Sequence, residues 1–198
     1  MASAIYGFPF KGNRLKEGWE VTTITQWQTG NPVNILANAT GIAGLTGISS
    51  IRPDLIGPIQ YVDTKQVLPS GQVTSNIQWF APLVCNPVVG GCTAGNTFAI
   101  PATTASTYHF GNLGRNVVIG PGFTNVDFSL LKTTKITERI KTQFRAEFFD
   151  IFNHPNFGQP GRVAQVGSTT FGVISNTRFP VGDSGSARQI QFALKLMF

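Results

Sequence analysis

The last eleven residues, RQIQFALKLMF from Arg188, alternate apolar and polar side chains up to the final position. Ile190, Phe192, Leu194, Leu196 and Phe198 fall on one side of an extended chain, and Gln189, Gln191, Ala193, Lys195 and Met197 on the other. The same period recurs upstream. In IKTQFRAEFF, Ile140, Thr142, Phe144, Ala146 and Phe148 oppose Lys141, Gln143, Arg145, Glu147 and Phe149, and in TNVDFSLL, Val126, Phe128 and Leu130 oppose Asn125, Asp127 and Ser129. GWEVTTITQWQTG sets Trp19, Val21, Thr23, Thr25 and Trp27 against Glu20, Thr22, Ile24, Gln26 and Gln28, with Ile24 out of pattern, and SAIYGFPF lines up Ala4, Tyr6, Phe8 and Phe10. Five strands are predicted, at about 3–10, 18–36, 123–132, 139–151 and 188–198. Pro32 marks a bulge or an edge in the second.

The connections are unequal. The links at Lys11–Glu17 and Thr133–Glu138 are short and polar, so each joins an antiparallel hairpin. The stretches at about 37–122 and 152–187 are long, rich in Gly, Pro, Asn, Ser and Thr, and offer only weak strand candidates in IQYVD and FGVISN. Structureless loops of that length are uncommon in compact soluble domains. Short turns at one end and long loops at the other describe an up-and-down outer-membrane barrel. Strands one, three and five then run downward, which brings Phe198 to the short-turn side. The soluble alternative is a β-sandwich with its Phe and Leu faces packed together, such as a secreted carbohydrate-binding module.

Composition narrows the choice. The chain is 41% hydrophobic and only 12% charged, with 16 Phe, which excludes a disordered polymer. No run approaches the roughly 20 apolar residues of a membrane-spanning helix. The net charge of +6 reflects scarce acids, and the bases form only small groups at Lys11, Arg14, Lys16 and at Lys132, Lys135, Arg139, Lys141, which argues against nucleic acid as a partner. MASAIYGFPFKG lacks the basic and apolar regions of a signal peptide, so for an exported protein Met1 is not expected to be the natural start.

The segment FGNLGRNVVIGPGFTNVDFSLLKTTKITERIKTQFRAEFFDIFNHPNFGQP (Phe110–Pro160) resembles the C-terminal barrel region of Oar-like TonB-dependent transporters, outer-membrane receptors that often carry a carboxypeptidase-regulatory-like domain. GNLGRN, GPGF, DFSL, ITERI and QFRAEFFDIFNHPNFG occur in order, followed by ARQIQFALKLMF, and AIYGFPF with GWEVTTITQWQTGNPVNI is similar to the family's preceding hairpin. Residues at about 38–106 match poorly. The resemblance implies a plugged barrel of about 22 strands driven through TonB. The chain is then a C-terminal fragment, not transport-competent alone, whose partners are the remaining barrel strands, the plug domain, TonB, the barrel assembly machinery and the lipid of a Gram-negative outer membrane. Its substrate is not implied by any residue.

On this reading Ile190, Phe192, Leu194, Phe144, Phe148, Val126 and Phe128 face lipid, and Lys141, Arg145, Glu147, Asp127, Gln191 and Lys195 face the lumen. Phe192, Leu194, Leu196 and Phe198 resemble the C-terminal signal by which barrels are recognised for insertion. Tyr6, Phe10, Trp19 and Trp27 are candidates for aromatic girdles, or are core aromatics if the protein is soluble. Trp79 and Phe80 contact ligand or plug, or pack the long loop. Cys85 and Cys92, with six residues between them, lack C-x-x-C spacing and in an exported loop are expected to form a disulfide. Enzymatic chemistry is not expected. Gly182-Asp183-Ser184-Gly185 spells a serine-protease tetrapeptide, but His109 and His154 do not lie in the matching context, and a turn is the simpler reading. His154 reads as a loop residue before Pro155, and the spacing supports neither a metal nor a nucleotide cofactor.

Overall fold

The computed structural model describes residues 1–37, 51–102, 109–178 and 187–198, so the tetrapeptide at 182–185 lies outside the described residues. It is all-β, with no helix among those residues. Seven strands have six residues or more: β1 (Ala2–Gly7), β2 (Trp19–Gln28), β3 (Tyr61–Val67), β4 (Val73–Phe80), β5 (Phe123–Lys135), β6 (Lys141–Phe149) and β7 (Gln189–Met197). The chain divides into two compact units. One holds residues 1–29, 122–157 and 177–198, the other 30–121 and 158–176.

The first unit is a single antiparallel sheet in the order β1-β2-β5-β6-β7. These are the five strands that the alternation predicts. Their ends differ: β1 stops at Gly7, β2 at Gln28, and β5 runs on to Lys135. β2 closes early because the Pro32–Val33 pair does not continue it, but lies antiparallel to Val118–Ile119 in the other unit. Met197 pairs with Lys141, which brings the chain's last residue to the end of the sheet that carries the β5–β6 turn.

Both short turns have specific chemistry. In the β1–β2 link the side-chain oxygen of Asn13 accepts from the backbone of Leu15 (3.1 Å) and Lys16 (2.9 Å), a local turn that Asn favours. Gly18 adopts φ +74°, and a Cβ there would stand 2.2 Å from the carbonyl oxygen of Thr133, so only glycine lets the two hairpins meet. The β5–β6 turn closes through Ile136 N to Ile140 O (2.9 Å), with Thr137 Oγ1 accepting from Ile140 N (3.0 Å).

The second unit corrects the expectation that 37–122 and 152–187 are irregular loops. Their described residues build a packed body. β3 and β4 form a hairpin, beginning at Tyr61 within IQYVD, and Val173–Ile174 from FGVISN adds antiparallel to β4. Asp54–Leu55, Phe98–Ala99 and Val84–Cys85 make a second three-stranded sheet, and Val163–Ala164 runs parallel to Leu36–Ala37. Phe80, Phe98 and Phe171 are completely buried and meet edge-to-face, with centroids 5.1–6.3 Å apart. Ile35, Leu113, Val118 and Ala164 belong to the same core. Such ring pairs add about 0.5–1.5 kcal/mol each beyond their area burial.

Candidate functional site

Direct cross-strand partners share a face, so the register sorts the side chains of the five-stranded sheet into two sets. Phe144 lies opposite Leu194, Ala146 opposite Phe192, and Phe148 opposite Ile190. Phe128 pairs with Phe148, and Val126 with Thr25. One face therefore carries Ile190, Phe192, Leu194, Leu196, Phe144, Phe148, Phe128 and Val126 together. The other carries Asp127, Lys141, Arg145, Glu147, Gln191 and Lys195. These are the two groups that the sequence pattern separates.

The apolar face is open. Phe192 is 67% exposed and Leu194 70%. Phe144 stacks on Phe192 (6.1 Å), and Phe128 tilts against Phe148 (6.1 Å), forming ring contacts across the strands. Trp19 and Trp27 lie on the same face of β2, eight residues apart. That is about 26 Å along a strand. At a tilt of about 35–45° it becomes roughly 20 Å of depth, close to the roughly 25 Å apolar band between aromatic girdles.

Lys132 is the single charged residue on this face of the strands. Its ammonium does not stand free. It donates to the carbonyls of Arg14 (2.9 Å), Leu15 (3.1 Å) and Glu17, and lies 5.0 Å from the Trp19 ring centroid. An ammonium bonded in this way avoids the cost of an unpaired charge on an apolar surface. The sequence pattern did not single out this contact, because its acceptors are backbone oxygens 115–118 residues away.

The polar face is linked internally. Arg145 Nη1 and Glu147 Oε1 pair at 3.3 Å. Asp127 Oδ1 accepts from Asn125 Nδ2 (2.9 Å) and from the backbone of Asp150 (3.0 Å). Where β6 ends, Asp150 (φ 48°) and Asn153 (φ 52°) turn the chain in the left-handed region that Asp and Asn tolerate. Buried Asn156 then acts as a substitute strand residue: its side chain accepts from Thr124 N (2.9 Å) and donates to Thr124 O (3.0 Å). Asn153 Oδ1 accepts from Arg188 N (3.0 Å) just before β7. The NHPN stretch thus anchors the starts of β5 and β7. Among the described residues, the bond His154 makes is from its backbone N–H to Asp150 Oδ1 (3.1 Å).

The remaining candidates lie in the second unit. Cys85 and Cys92 are joined as a disulfide with Cα atoms 5.3 Å apart. Asn86 Oδ1 accepts from Val88 and Val89 within the loop, and Gly90 and Gly91 have positive φ. Trp79 donates to Ile119 O (2.8 Å) with its ring edge-on to Tyr61, and Phe80 belongs to the core, so both pack the unit. His109 Nε2 lies 2.6 Å from Asp54 Oδ2. Among the described residues, no group of three or more His, Cys, Asp or Glu is placed to hold a metal ion.

A family model described as outer membrane beta barrel domain matches residues 1–191. Neither a curated protein nor a solved structure matches the chain.

Proposed function

The chain belongs to the outer membrane beta barrel domain family, and we propose that it forms part of the barrel wall of a TonB-dependent transporter for a substrate not yet identified. The family points to the outer membrane of a Gram-negative bacterium. The observation that carries the reading is the sidedness of the five-stranded meander, with an open apolar and aromatic face backed by a charged one. In a barrel the first meets hydrocarbon and the second a watery lumen. β1 and β7 are the two edges of this sheet. An unpaired edge in lipid leaves backbone groups without partners, so further strands must close the wall. Oar-like identity is supported by the ordered motifs from GNLGRN to ARQIQFALKLMF. The secreted sandwich is not favoured, because it would bury the face on which Phe192 and Leu194 lie open.

The test is the genomic sequence upstream of the Met1 codon. An open frame running on into a plug and further alternating strands is the expected result. A stop codon and promoter immediately upstream would contradict the transporter.

A further inference from the structure

Lys11, Arg14 and Lys16 lie on the β1–β2 link and Arg139 on the β5–β6 link, with Lys135 and Lys141 paired beside it on the polar face. All six are exposed, and none is in an ion pair among the described residues. The two groups are more than a hundred residues apart in sequence, yet the order β1-β2-β5-β6 puts both links at one end of the sheet. They touch there. Thr133 N donates to Gly18 O at 2.8 Å, and the Lys132 ammonium is seated on the carbonyls of Arg14, Leu15 and Glu17. With Lys132, segments 11–17 and 132–141 hold seven of the 15 Lys and Arg but only two acids, Glu17 and Glu138. Seven bases less two acids leave five of the net six positive charges in these two segments.

The surroundings identify the partner. Leu15 is 80% exposed, and Phe10, Ile136 and Ile140 at the same end of the sheet are exposed too. Tyr6 and Trp19 end the apolar face at the same margin, since Tyr6 pairs with Val21 and Phe8 N donates to Trp19 O. Basic residues rimming an apolar, aromatic surface lay their alkyl stems along it and carry their charges outward. At the edge of hydrocarbon that zone is the lipid headgroup layer, where each Lys or Arg is attracted by anionic lipid. We infer that this end of the sheet binds the phosphates of anionic glycerophospholipids in the leaflet on the short-turn side. The inference rests on the membrane reading of the apolar face, and makes that reading specific for lipid charge.

Flotation of the complete barrel on vesicles tests it, comparing pure phosphatidylcholine with phosphatidylcholine containing phosphatidylglycerol. The expected result is at least a tenfold gain in bound fraction on the anionic vesicles, abolished by 0.5 M salt as screening requires. K11Q/R14Q/K16Q and R139Q should each lose part of that gain while keeping wild-type binding to neutral vesicles. Replacing Lys65, Arg115 and Arg162 of the other unit by Gln should leave the gain intact. No gain for the wild-type chain, or equal losses in all three variants, overturns the inference. Failure to bind neutral vesicles at all overturns the membrane reading itself, which keeps the two failures distinct.

Discussion

Phenylalanine serves opposite purposes in the two units. In the five-stranded sheet Phe192 points away from the protein and is 67% exposed, whereas in the other unit Phe80, Phe98 and Phe171 are fully enclosed by one another and by aliphatic neighbours. The second unit supplies its own apolar environment. The sheet does not, and its apolar face needs a partner of low polarity. A bilayer provides that along the whole face, which is why the alternation can run strand after strand with Lys132 as the single charge on the apolar side. The difference explains why one region is built by register and the other by packing.

That contrast can be broken from either side. The largest effect is expected in the enclosed core. Phe80→Ala should lower the local opening free energy of the second unit by about 3–5 kcal/mol, read from amide exchange at Phe98 and Ile100. A loss below about 1 kcal/mol would show that the three rings do not form a true core. Next is the open face. Phe144→Arg should cost about 2–4 kcal/mol in folding of the complete barrel into a bilayer if it lies near the midplane, and Gln143→Arg on the adjacent position far less. Equal costs would overturn the assignment of faces. Asn156→Ala should cost about 1–3 kcal/mol by leaving the N–H and C=O of Thr124 without partners. The same exchange experiment would register it as faster exchange at Thr124, and unchanged exchange would mean that water replaces the side chain. Smallest is the disulfide: intact protein should resist alkylation until reduced, and modification of both Cys85 and Cys92 without reductant would reject the bridge.

How much was legible in the sequence follows the same division. The sheet was readable because strands that bury only one face write their register as a period of two, so Phe144, Phe148, Phe192 and Leu194 announced their common side before any pairing was known. The ends were less so. β2 ends at Gln28, and Pro32–Val33 is instead taken up by Val118–Ile119. The second unit was not readable as a unit. Among the described residues eight of its strands are only two residues long, and its core joins Ile35, Phe80, Phe98, Leu113 and Phe171 from distant segments with no common period. Weak signals at IQYVD and FGVISN marked two of its strands, but nothing local said that they pack on the same hairpin. Lys132 was missed for a related reason. A side chain that bonds backbone oxygens across a turn leaves no pattern in the identities of its partners.

The central claim is that the apolar face of the five-stranded sheet meets lipid. Cysteine substitutions made singly along β7, from Ile190 to Leu196, in the membrane-embedded protein test it most directly, with a water-soluble maleimide as probe and the native cysteines held in their disulfide. Labelling should alternate, fast at Gln191, Ala193 and Lys195 and slow at Ile190, Phe192, Leu194 and Leu196. Uniform labelling of all seven positions would contradict the account.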